Sequence, residues 1–326
     1  MLFRSPVYSR FPFRIDEHLS RLQQSLDGIR LPNPHTDAEW RKIIRRLIAE
    51  TEFDDQLLYI QVTRGADVKR DPCFPKGVPQ TVFLFTSPLV GPSAAQREKG
   101  VAAITAPDIR WGRCDLKTVA LLPNVLARQF AADAGCAETV MFRDGHLTEG
   151  SATNVFVVRN GVILTPPQDN RILPGITCDV VLELAAKHGA PYEVRPITEA
   201  EVRNADELWI TSSTKEVLAI TTLDGLVGGA RLGRIALLVQ DGAFGRIELP
   251  VRTVGPLGAA NDVQRLIEVA VGGQRLAVGG AHLGIVGRAD HALFEHGHRL
   301  VGAAAEAQGG GVIQDVDAVL DRKSVV

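Results

Sequence analysis

The composition of the chain breaks near residue 225, and that break limits where a fold can be specified. Residues 226–326 hold 18 of the 31 glycines but no Trp, Tyr, Met or Cys, one Lys, one Asn and two of the 18 prolines. Gly, Ala, Val, Leu, Arg, Ile, Asp, Glu, Gln and His make up nearly all of the segment, and neither the 2.0-residue period of a strand nor the 3.6-residue period of a helix runs through it. Two readings fit: a weakly ordered, Gly-rich extension, or a GC-rich gene translated in a shifted frame, which is the reading expected here. Four histidines in this segment (His282, His291, His296, His298) lack cysteine neighbours and helical i, i+4 spacing, so no metal site is expected. The pattern that can direct a fold lies in the first 225 residues.

Length and charge then narrow the class. A chain of 326 residues is about twice the usual domain length, so two domains are expected. Its 36 basic and 38 acidic side chains leave no bulk field to draw nucleic acid or membrane, and small-molecule chemistry leads. No apolar run reaches the ~18 residues that span a bilayer. The longest, around Val119 to Leu126, is interrupted by Pro123 and Asn124. The start, MLFRSPVYSR, lacks a signal peptide's apolar stretch and cleavage site. Cys73, Cys114, Cys136 and Cys178 form no C-x-x-C pair and read as reduced, mostly buried thiols of a cytoplasmic protein.

Periodicity places the elements coarsely. Ile15, Leu19, Leu22 and Leu26 recur at helical spacing behind Asp16 as a candidate cap, with Arg21 off the apolar stripe. A second helix opens at the capping box Thr36-x-x-Glu39 and carries Trp40, Ile43, Ile44, Leu47 and Ile48 on one face. Strands are expected at 57–63 and 81–86, and 87–92, with two prolines and a glycine, reads as a linker. Beyond it lie strands at 139–142, 154–158, 162–164 and a final one at 207–211, turns at Asp144-Gly145 and Asn160-Gly161, and helices at 118–134 and 177–188. Without a βαβ rhythm or G-x-G-x-x-G, a Rossmann domain is not expected.

Four features could carry chemistry. Lys117 follows Asp108-Ile-Arg-Trp-Gly-Arg-Cys-Asp115-Leu116, where Trp111, Cys114 and Leu116 imply a buried neighbourhood. A desolvated lysine sheds its proton and becomes the amine that forms Schiff bases. The plainer alternative is a lysine paired with Asp108 or Asp115. Glu149 lies in Thr148-Glu-Gly-Ser-Ala-Thr-Asn154, where a carboxylate could equally be a turn partner. Leu173-Pro-Gly-Ile-Thr177 opens an apolar helix whose free N–H groups could hold a phosphate, as could the hydroxyls of Thr211-Ser-Ser-Thr214. Each of the last two signals is weak alone.

Taken in order, Arg21, D-I-R-W-x-R-C-D-L-K117, T-E149-G-S-x-x-N154, P-G-I176-T177 and T-S212-S213-T resemble the class IV, pyridoxal-phosphate-dependent aminotransferases, with the D-amino-acid (D-alanine) group the nearest. The resemblance covers about residues 7–225. It implies a two-domain α+β fold of type IV: a small α+β domain (1–86), the linker (87–92) and a larger β-rich α/β domain that binds cofactor (93–225), followed by the atypical tail (226–326). It implies pyridoxal 5'-phosphate as cofactor, a homodimer, and transamination between D-amino acids and 2-oxo acids by a ping-pong mechanism. Lys117 would carry the cofactor and move the substrate's proton; Glu149 would face the pyridine nitrogen. Arg21, the backbone of Ile176 and Thr177, and the Ser212 and Ser213 hydroxyls would hold the phosphate. Arg70 would receive the substrate carboxylate.

The chain departs from the pattern in three places. Pro72 stands where the family has a histidine two residues after that arginine, and one extra residue lies near Ala66 to Val68. Leu2 and Phe3 occupy the place of a G-x-Y-E motif, so the opening strands are expected to be missing. The closing helix after Leu223-Asp-Gly225 is not recognisable. Alternatives on the same scaffold are 4-amino-4-deoxychorismate lyase and branched-chain amino-acid aminotransferase; outside the class, the chain is an inactive product of a damaged gene.

Overall fold

The computed structural model describes residues 1–67, 71–226 and, for backbone only, 227 and 312–314. Two sheets with separate cores make a two-domain α+β fold. In the first, β1 (Leu2–Tyr8) turns back through the short β2 (Phe11–Pro12) into α1 (Ile15–Gly28) and α2 (Asp37–Ala49), followed by β3 (Gln56–Thr63) and β4 (Thr81–Pro88). With β14 (Val312–Gln314) at the edge, the antiparallel order is β14-β4-β3-β1-β2. Alternation in β3 sends Leu58, Ile60 and Val62 to one face, where they meet Phe3, Val7, Leu19, Leu26, Trp40, Ile44 and Leu47 in one buried cluster. Each such side chain contributes about 1.5–3 kcal/mol on burial.

Helix starts differ in how they are built. Thr36 and Glu39 form the reciprocal capping box that the sequence predicts. At α1 the expected cap is corrected: Arg14 occupies the N-cap in a left-handed conformation (φ 51°) with no side-chain cap. Asp16 lies inside the first turn, ion-paired with Arg41 and favourably placed in the helix dipole.

The second sheet begins after 89–92, which carries no regular element, since β4 runs on through Ser87 and Pro88. Its elements are α3 (Ala94–Lys99), β5 (Val101–Pro107), α4 (Leu122–Asp133), β6 (Glu138–Arg143), β7 (His146–Gly150), β8 (Asn154–Arg159), β9 (Val162–Thr165), α5 (Ile176–Lys187), β10 (Tyr192–Val194), α6 (Glu199–Arg203), β11 (Glu207–Ser212), β12 (Glu216–Leu223) and β13 (Leu226–Val227). The order β10-β9-β8-β11-β12-β5-β6-β7, with β13 on β12, mixes antiparallel pairs with parallel β5·β6, β5·β12 and β9·β10.

Three expectations change here. The strand at 207–211 is not the last, because β12 and β13 follow. Helix α4 starts at Leu122 instead of 118, since Pro123 fits the first turn of a helix but breaks its interior. Two of the four free cysteines, Cys114 and Cys178, are buried, whereas Cys136 is half-buried and Cys73 exposed. Arg70 and the four tail histidines lie outside the described residues, as does nearly all of the segment read as frame-shifted.

Candidate active site

Lys117, Arg21 and Glu149 come together where the two sheets meet. Leu2 N of β1 donates to the Lys117 carbonyl (2.9 Å), and Lys117 N donates to Ser25 Oγ of α1 (3.2 Å). The β1–α1 unit therefore grips the lysine that follows β5. Loss of hydration pushes the Lys117 ammonium well below the ordinary lysine value, and the charges of Arg21 and Arg4 push the same way against the pull of Glu149. Neither Asp108 nor Asp115 partners it: Asp108 binds Arg110 and Arg143, and Asp115 binds Arg113. Of the neighbours expected to enclose it, Cys114 and Leu116 are buried, but Trp111 is 45% exposed.

Glu149, on β7, is buried and fixed from three sides. Arg110 Nη1 donates to its Oε1, while Leu173 N (3.2 Å) and Asn154 Nδ2 (3.3 Å) donate to Oε2. Burial raises this carboxyl to about 7 even though Arg110 opposes the rise. Arg110 in turn forks onto Asp108 (2.9 and 2.8 Å), and its Nη2 reaches the Arg171 carbonyl (3.0 Å). Burial would raise Asp108, yet the hydrogen bonds and charge of Arg110 hold it at about 2.

Arg21 lies on the side of α1 away from the apolar stripe, as its spacing predicts, and is nevertheless buried. Its Nη1 donates to the Pro174 carbonyl (2.7 Å) and its Nη2 to His18 Nδ1 (3.3 Å). A guanidinium can only donate, so His18 Nδ1 is bare and Nε2 carries the proton. No carboxylate pairs with Arg21 among the described residues, and burial lowers it to about 10 against the pull of Asp179. Beside it, α5 opens at Gly175 without a side-chain cap, leaving the N–H groups of its first turn free, and Ile176 and Thr177 are buried there. Ser212 and Ser213 are half-buried where β11 ends, with Ser212 Oγ accepting from Lys215 N (3.1 Å).

Of the residues that complete the site, Arg110 was quoted in a motif without a role, Asp108 only as an alternative partner for Lys117, Thr211 as a candidate phosphate donor, and Glu138 in no motif. Arg110 and Asp108 belong to the D-I-R run, and their link to Glu149 spans 39 positions of sequence. Thr211 Oγ1 is buried without a partner, beside Asn154 in the β11·β8 register. Glu138, fully buried, takes Ser151 Oγ, Thr153 Oγ1 (3.0 Å) and Lys215 Nζ (3.2 Å), and so fastens the turn that joins Glu149 to Asn154. A buried, uncompensated guanidinium, an uncapped helix start and an orphaned buried hydroxyl fit a phosphate. With a buried lysine amine and a buried carboxylate alongside, the donor set fits pyridoxal 5'-phosphate.

Residues 3–223 match the family model described as amino-transferase class IV. A D-alanine aminotransferase of Bacillus licheniformis is 38% identical over 235 residues, covering 72% of this chain and 82% of that protein. The branched-chain amino-acid aminotransferase of Escherichia coli superposes with a TM-score of 0.68 at 25% identity, over 76% of this chain and 84% of that one. A Legionella pneumophila protein described as a candidate 4-amino-4-deoxychorismate lyase shares the fold, with a TM-score of 0.67 at 20% identity over 75% and 90% of the two chains. With its matched segment spanning both sheets, the chain belongs to the class IV aminotransferases, enzymes that depend on pyridoxal 5'-phosphate.

Proposed function

We propose that this enzyme transfers the amino group of D-amino acids such as D-alanine to 2-oxo acids in a ping-pong cycle. The observation that carries the reading is a desolvated Lys117 held between buried Glu149 and uncompensated Arg21, in a chain 38% identical to a D-alanine aminotransferase. Arg21, the N–H groups of Ile176 and Thr177, and the hydroxyls of Thr211, Ser212 and Ser213 would hold the cofactor phosphate. Glu149, oriented by Arg110, would hold the protonated pyridine nitrogen of the cofactor. When bound, pyridoxal phosphate supplies an electron sink that stabilises negative charge at the substrate Cα. Lys117, left as a neutral amine by its buried surroundings, would take the proton from that carbon and return it as a general acid.

Two features bear on assembly and compartment. The α4 region presents Val119, Leu121, Leu122, Val125, Leu126 and Phe130 as an exposed apolar face, which supports a homodimer. The four unpaired thiols support a reducing, cytoplasmic setting. No helix among the described residues is long and apolar enough to cross a membrane.

The test is a single half-reaction of cofactor-loaded protein, followed by the loss of its visible absorption band. D-alanine is expected to discharge it and L-alanine to leave it. Discharge by L-leucine alone would assign the branched-chain reaction instead, and release of pyruvate from 4-amino-4-deoxychorismate without an amino acceptor would assign the lyase.

A further inference from the structure

The sheet of β1, β3 and β4 has two unlike faces. Phe3, Ile60 and Leu84 turn toward α1 and α2 and are buried. The opposite face carries two cross-strand rows, Leu2–Gln61–Phe83 and Arg4–Tyr59–Phe85, because paired residues of neighbouring strands share a face. Lys117 lies at the margin of this face, hydrogen-bonded to Leu2 two residues from Arg4. The positive charge of Arg4 reaches Lys117 and helps to lower it, while burial lowers Arg4 itself. Among the described residues no carboxylate pairs with Arg4 and no acceptor takes its five N–H donors. A half-buried guanidinium without an acceptor is unfavourable, and it matches a carboxylate in a forked pair.

We propose that Arg4 receives the carboxylate of the substrate and so selects amino acids over amines that lack one. The proposal rests on the transaminase reading and names the group that recognises its substrate class. Tyr59, stacked on Phe85 with ring centroids 4.8 Å apart, and Phe83 form an apolar wall beside the guanidinium for the rest of the substrate. Arg70, the candidate for this role in the sequence, lies on a different segment, so the two arginines are separable by substitution.

The experiment measures half-reactions of cofactor-loaded wild type, Arg4→Met, Arg4→Lys and Arg70→Met with D-alanine and with isopropylamine, in which a methyl group replaces the carboxylate. Arg4→Met is expected to raise KM for D-alanine roughly 10- to 150-fold, the range of a charged hydrogen bond, with a far smaller effect on isopropylamine. Arg4→Lys keeps the charge near Lys117 but loses the fork, and is expected to fall between, which also carries the test if Arg4→Met fails to bind cofactor. Equal losses on both substrates, an unchanged KM for D-alanine, or a loss confined to Arg70→Met would each overturn the proposal. A cofactor-loaded wild type that turns over neither substrate overturns the transaminase reading instead. The role of Arg4 is then read from the Kd of propionate, taken from its perturbation of the cofactor band: weaker binding in Arg4→Met supports it, and equal binding refutes it.

Discussion

Arg110 has two buried carboxylates for partners, and its removal strands both. Asp108 and Glu149 side chains are 0% and 8% exposed in their pairs with it, and breaking a buried ionic network by deleting one member costs about 3–5 kcal/mol. Arg110→Ala is therefore expected to lower stability by about that amount in denaturant unfolding, whereas Arg113→Ala, in a solvent-screened pair with Asp115, leaves it nearly unchanged. Glu149 also gives the cofactor-free protein a pH dependence. Its carboxyl is raised from 4.5 to about 7, so the folded state favours the protonated form. The stability this contributes is fully present below 4.5 and is lost as pH rises through about 7. The melting temperature of wild type relative to Glu149→Gln is expected to fall between pH 5 and 8; a constant difference would show that Glu149 ionises as an ordinary carboxylate. Lys117 and Glu149 were legible because a linear motif quotes them directly. Their mutual geometry was not: the Arg110–Glu149 pair closes across 39 positions, and no local period reports it.

At the scale of elements, the start of α5 is where backbone and site coincide. A Cβ on Gly175 would collide with Asn154 Oδ1, whose amide nitrogen already serves Glu149 and the Leu173 carbonyl. Gly175→Ala is expected to displace the helix start, weaken cofactor binding and cost about 1–3 kcal/mol of stability by overpacking; unchanged cofactor affinity in equilibrium dialysis would remove the α5 start from the phosphate site. Helices α1, α2 and α5 were legible because each has an apolar stripe or a capping box. Strands β5, β7 and β12 were not. In β7 and the first half of β12 nearly every residue is buried, so the period-2 alternation that marks a half-exposed strand is missing. The end of α4 was legible and its start was not, since the apolar run reaches back through Thr118 while the helix waits for Pro123 in its first turn.

For the whole molecule, the two sheets close around one lysine, and the exposed apolar face at α4 is the surface on which the proposed dimer would form. Replacing Leu122 and Phe130 together by Asp is expected to convert a dimer into a monomer in sedimentation; a wild-type monomer would contradict that assembly. The composition break near residue 225 falls beside the end of the family match at 223, yet β14 (Val312–Gln314), well beyond it, pairs with β4, a long-range contact that residue usage does not report. The central claim is that Lys117 carries the cofactor. Borohydride reduction of the cofactor-loaded protein, followed by peptide mapping by mass spectrometry, tests it most directly. The phosphopyridoxyl mass is expected on the peptide containing Lys117 and absent in Lys117→Ala; the same mass on Lys215 or another lysine, or no modification of a protein that retains the cofactor, would contradict it.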